Sequence, residues 1–173
     1  MMKILIFIFS ILIHVFSNTA LSQIYNSNED KDFQWWCNQA FYEGKISEEE
    51  SRTVKEIVSN VFGYDYTKIP DCYVVGKKIE GEKTLLLDRS EISDLTPFSA
   101  LRGLTFLNLN GNKIRDISPL NSLVNLKVLL LDNNQIEEIS PLIELSIIEE
   151  ISLSGNKIKT LPPNLDMDSL REL

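Results

Sequence analysis

Alternating leucines at a fixed interval organise the second half of the chain. Leu85, Leu107, Leu129 and Ile151 stand twenty-two residues apart, as do Leu87, Leu109, Leu131 and Leu153. The same interval relates Ile92, Ile114, Ile136 and Ile158. It also relates Leu95, Ile117, Ile139 and Leu161, with Pro97, Pro119, Pro141 and Pro163 two positions later. Such a period predicts a stack of equal coils. Within each unit the L-x-L alternation predicts a short strand with both leucines facing inward. The proline and the apolar residues at three-residue steps, such as Leu120, Leu123 and Leu126, predict a tight helical turn on the return path. One coil leaves its leucines in water, whereas four stacked coils bury them behind a parallel sheet.

Asn112, Asn134 and Asn156 fall where the chain leaves the strand, with Ser90 in the first unit's place. An amide at a buried bend satisfies backbone groups that would otherwise be orphaned, so this column is expected to be structural.

Upstream the period changes to that of a helix. Phe33, Trp36, Cys37, Ala40 and Phe41 share one helical face, and Gly44 is a stop signal. Ser47 and Glu50 form an S-x-x-E capping box for a second helix, which carries the stripe Val54, Ile57, Val58, Val61 and ends at Gly63. The segments Tyr64-Asp65-Tyr66 and Ile69-Pro70-Asp71 read as a loop, leading to a short strand near Tyr73–Val75. Trp36 lies on the apolar face and reads as core, while Trp35 faces elsewhere. Residues 23–83 are thus expected to form a helical N-terminal cap, with residues 23–31 polar and frayed.

The segment before Gln23 follows a third pattern. Lys3 precedes an apolar run from Ile4 to Phe16, and Ala20-Leu21-Ser22 supplies small residues before Gln23. This is the layout of a secretory signal peptide, residues 1–22, cleaved before Gln23, with an uncleaved anchor as the alternative. The expected location is therefore secreted or in the cell envelope, with no membrane insertion after cleavage. Export bears on the cysteines, Cys37 and Cys72: an even count outside the cytosol favours one disulfide, with two buried free thiols as the alternative.

Composition narrows the function. The formal charge is −8 and becomes −9 over 151 residues once Lys3 leaves with the leader. That balance repels nucleic acid and anionic lipid. The single histidine, His14, is in the leader, so the mature chain lacks the residue that Ser–His–Asp, Cys–His and His-ligated metal chemistry require. Glu48-Glu49-Glu50 opens a helix and Glu137-Glu138 lies in a repeat turn; neither run has the spacing of a calcium loop. No enzyme activity, cofactor or metal is expected.

The unit L-x-L-x-x-N-x-I-x-x-I-x-P resembles the leucine-rich repeat family. Ile117-Ser118-Pro119-Leu120 and Ile139-Ser140-Pro141-Leu142 are similar to the phrase of its twenty-two-residue, internalin type, though no L-P-x-T-G phrase or Ig-like segment accompanies them. The resemblance covers residues 84–173, as units 84–105, 106–127, 128–149 and 150–173. It implies an α/β solenoid, a short right-handed horseshoe of about four coils with its parallel sheet on the concave side. It also implies export from a bacterium and a concave face that grips a protein, in internalins a host surface protein. The outward strand positions on that face would be Thr84, Phe106, Val128, Glu150; Leu86, Asn108, Leu130, Ser152; and Asp88, Asn110, Asp132, Ser154. Among them Leu86, Phe106, Val128 and Leu130 make an apolar centre, and Asp88, Asn108, Asn110 and Asp132 a polar and acidic rim, as in a protein-binding patch. The alternatives are an envelope scaffold with a bacterial partner, or a truncated repeat protein without independent function. Leu170-Arg171-Glu172-Leu173 matches Leu126-Lys127-Val128-Leu129 in register, so a fifth unit begins at Leu173 and an uncapped edge there would favour self-association.

Overall fold

The computed structural model describes residues 31–63 and 71–162. The leader and its cleavage site, most of the polar 23–31 stretch, the 64–70 loop, Pro163 and the Leu170–Leu173 register lie outside the described residues. Met1–Lys31 and Asp32–Leu173 are separate units, and the second carries everything that follows.

Among the described residues, three helices open that unit. Helix α1, Phe33–Asn38, is capped by Asp32, whose Oδ1 accepts from the Trp35 backbone N–H at 2.8 Å. It widens into a π-helical turn, Gln39–Glu43, and stops at Gly44 in the left-handed conformation, φ 65°. Helix α2, Glu48–Phe62, begins with the expected capping box. Ser47 Oγ accepts from Glu50 N at 3.0 Å, and the Glu50 carboxylate accepts from Ser47 N at 2.7 Å. Val54, Ile57 and Val58 are buried, and Val61 packs against the core from its margin. Trp36 is buried, and Trp35, half-buried, meets it edge to face at 4.9 Å between ring centroids.

The strand expected near Tyr73–Val75 is instead helix α3, Cys72–Gly81. Asp71 caps it, its Oδ1 accepting from Tyr73 N and Val74 N at 3.0 and 3.1 Å. Cys72, Val75, Gly76 and Ile79 bury one helical stripe. A Cβ on Gly76 would stand 3.1 Å from Gln34 Cβ and 3.2 Å from Gln34 N. The missing side chain thus lets α3 press against α1. Cys37 and Cys72 join the same two helices as a disulfide with Cα atoms 5.5 Å apart, an ordinary span for such a bond.

The strands β1 Thr84–Leu86, β2 Phe106–Asn108, β3 Val128–Leu130 and β4 Glu150–Ser152 form one parallel sheet in sequence order. Thr84 pairs with Phe106, Phe106 with Val128, and Val128 with Glu150, so the twenty-two-residue period is also the pairing register. The return path holds 3₁₀ turns at Thr96–Ala100, Ser118–Ser122 and Ser140–Glu144, each with a proline near its start. An acid two residues upstream caps each turn. Asp94, Asp116 and Glu138 accept from Thr96 N, Ser118 N and Ser140 N at 2.8, 2.8 and 2.9 Å. The Ser140 N–H holds the Glu138 carboxyl below its ordinary value, and Glu137 pairs with Lys159. Both glutamates of that run therefore serve the coil.

Between sheet and turns, the inward leucines and isoleucines of the first three coils are buried, except the half-buried Ile148 at the end of the third. Burial is lower in the fourth, where Ile158 is half-buried and Leu161 is 48% exposed. After each strand the chain passes through a left-handed residue in one column: Arg89, Gly111, Asn133 and Gly155, with φ of 54°, 70°, 55° and 72°. A Cβ on Gly155 would lie 2.6 Å from Asn133 Oδ1. Gly155→Ala should therefore lower stability by about 1–2 kcal/mol in a denaturant melt. An unchanged melt would mean the turn relaxes freely.

The cap docks on the first coil through side chains of α2. Asn60 Nδ2 donates to Leu86 O at 2.7 Å, and Asn60 Oδ1 accepts from Leu86 N at 3.5 Å. One amide thus stands in for a strand beside β1. The buried Thr53 hydroxyl donates to Asp94 O at 2.7 Å. These contacts close one edge of the sheet and hold the first coil still.

Candidate functional site

The asparagine column is what makes the sheet a fixed platform. Asn112 Oδ1 accepts from Ser90 N and Ile92 N at 3.1 and 3.0 Å, while its Nδ2 donates to Leu87 O and Leu109 O at 2.8 and 2.9 Å. Asn134 repeats this one coil on, with Ile114 N at 3.1 Å and Leu109 O and Leu131 O both at 3.0 Å. Asn156, half-buried, takes Ile136 N at 3.1 Å and gives to Leu131 O and Leu153 O at 2.8 Å. Every amide reaches back to the coil before it. Ser90 stands in the first coil, which has no earlier coil to reach.

On the opposite face of the strands lie the outward positions. Leu86 is 52% exposed. Phe106, Val128 and Leu130 are half-buried, because neighbouring side chains shield one another. Phe106 and Val128 are paired in register, Leu130 follows Val128 on the same strand, and Leu86 is paired with Asn108. The four apolar groups therefore occupy β1 to β3, and β4 ends the patch with Glu150 and Ser152. At the strands' C-terminal ends Asp88 is exposed, and Asn110 and Asp132 are half-buried.

Several polar side chains of this face are tied to the backbone, which the sequence pattern alone does not reveal. Asn110 Oδ1 accepts from Asp132 N at 2.6 Å, and Asn108 Oδ1 from Asn110 N at 3.0 Å. Asp132 Oδ1 accepts from Ser154 N at 2.8 Å and from the Ser152 hydroxyl at 2.6 Å. These bonds form a second ladder, running up the outward face as the asparagines run up the inner one. Asn60, from the cap, adds a polar group beside Leu86 that the sequence reading did not include. Its signal was faint, a single polar residue near the end of an amphipathic helix.

Among the described residues no group of histidine, cysteine and carboxylate side chains could hold a metal ion, and no helix is long and apolar enough to cross a membrane.

Comparison with known proteins places this geometry. The family model for leucine-rich repeats, two copies, matches residues 102–144. An internalin from Listeria monocytogenes is 28% identical, with a TM-score of 0.52, over 61% of this chain and 31% of its own. An internalin C2 from the same species is 30% identical, with a TM-score of 0.47, over 54% of this chain and 51% of its own. The chain thus spans about a third and about half of these two structures. No curated protein matches it at a significant level. The twenty-two-residue unit, the in-register parallel sheet, the family match over residues 102–144 and the likeness to the first of these structures identify the repeats as leucine-rich repeats, in a fold similar to that of an internalin.

Proposed function

We propose that the chain is an exported binding module that engages a protein partner through the outward face of its sheet. The observation that carries this reading is the patch formed by Leu86, Phe106, Val128 and Leu130, displayed on a backbone whose edge and bends are already hydrogen-bonded. Such a platform loses little freedom on binding, so apolar contact made there is not cancelled by ordering the site. An aromatic beside aliphatic groups within a polar frame is the composition of interface hot spots.

Phe106→Asp tests it. Phe106 is half-buried on the outward side. The charge should leave the fold standing and reduce capture of a partner by at least about tenfold. Circular dichroism separates the outcomes: a folded variant that still captures its partner overturns the proposal, and an unfolded one would make Phe106 a core residue.

The export part of the proposal rests on the leader's pattern and on the Cys37–Cys72 pairing. The non-reduced protein from its native source should have the mass of Gln23–Leu173, less about 2 Da for the disulfide. A full-length, reduced mass would sink export.

A further inference from the structure

Resting on that reading, we propose that the partner presents one or two apolar side chains framed by lysine or arginine residues. The patch is bounded on the described sides. Asn60 lies beyond Leu86 at the β1 side, Glu150 and Ser152 stand on β4, and Asp88, Asn110 and Asp132 cross the strands' C-terminal ends. From β1 to β3 is two strand spacings, about 10 Å, and one step of alternation along a strand adds about 7 Å. That footprint admits one or two side chains. A stable complex buries about 800 Å² on each partner, so most of its contact must be made with the frame around the patch.

The frame has one sign of charge. Asp88, Asp132 and Glu150 are carboxylates, and no outward strand position is a lysine or arginine. Asp132 is fixed in place by Ser152 and Ser154, so its charge is held toward one spot. Of the cations nearby, Lys127 pairs with Glu149 at 2.6 Å and Lys83 donates to Gly103 O at 3.1 Å, while Arg89, beside Asp88, packs its stem over Gly111. An acidic partner surface would meet three carboxylates at close range, while a basic one meets its complement and is steered toward the face.

The test is a selection on the oxidised full chain, using displayed cyclic loops with an apolar tip and flanks free to be acidic, neutral or basic. Basic flanks should be enriched, and the selected loops should bind the Asp88→Asn/Glu150→Gln double variant about three- to tenfold more weakly, with affinity falling at high salt. Loops that lose binding to Leu86→Ser or Phe106→Ser yet carry neutral or acidic flanks would overturn the charge inference and leave the binding face standing. Loops indifferent to both serine variants, or no enrichment at all, would overturn the inference and the proposed function together.

Discussion

Asn134→Leu is expected to destabilise the protein by about 3 kcal/mol, lowering its melting temperature by about 6–12 °C. The buried amide does two jobs, and its neighbours cover one of them. Leu109 O receives Nδ2 from both Asn112 and Asn134, and Leu131 O receives it from both Asn134 and Asn156. Each carbonyl thus keeps one donor when Asn134 is lost. The Ile114 N–H loses its Oδ1 acceptor at a buried bend, and that group dominates the cost. A second substitution removes the reserve. In Asn112→Leu/Asn134→Leu the Leu109 carbonyl loses both amides, so the double variant should cost at least about 1 kcal/mol more than the sum of the singles. Asn156→Leu should be milder, because water reaches its half-buried site. Equal effects at all three positions, or strict additivity, would show that the amides act as independent caps and that the ladder is not a coupled unit.

The repeat region was legible because one number fixes several things at once. A twenty-two-residue period sets which leucines stack, and since successive coils have equal length it also sets the strand register, Phe106 to Val128 to Glu150. The asparagine column was legible for a related reason, since a polar residue recurring among apolar ones needs a buried partner. The return turns followed from their prolines.

The cap was legible only in part. Tyr73-Val74-Val75 has the β-branched and aromatic composition of a strand, and Gly76 weakens any helix reading by propensity alone. Tertiary contact overrides both. The glycine is where α3 meets Gln34 of α1, and Asp71 supplies the cap that starts the helix. Reading Cys72, Val75, Gly76 and Ile79 as one stripe needed the knowledge that glycine belonged to the buried face. On the outward face of the sheet, alternation marks the positions but not their duties: Asn110 and Asp132 accept bonds from the coil beyond them, 22 residues on. Cross-coil bonds of that kind leave no mark in composition, because serine, asparagine and aspartate are equally at home in water.

Opening the Cys37–Cys72 disulfide should cost more than losing the Asn134 amide alone, and the loss should begin in the cap. The bond closes a loop of 35 residues' separation that contains all of α2. In the chain-entropy treatment, closing such a loop removes about 3.8 kcal/mol of unfolded-state entropy. Cys37→Ala/Cys72→Ala should then melt about 8–15 °C lower than the oxidised protein. Where the loss acts follows from the docking contacts. Helix α2 supplies Asn60 to β1 and Thr53 to Asp94, so loosening it uncovers the edge of the sheet next to Leu86. In a solenoid each coil depends chiefly on its neighbours, so the damage should decay along the stack. Hydrogen exchange resolves this: protection of the Leu86 and Leu87 amides should fall first, while the amides of β3, two coils away, stay close to their original protection. Uniform loss across all four strands would show that cap and repeats unfold as one unit, and an unchanged melting temperature would show that the packing of α1 against α3 holds the cap without its covalent bond.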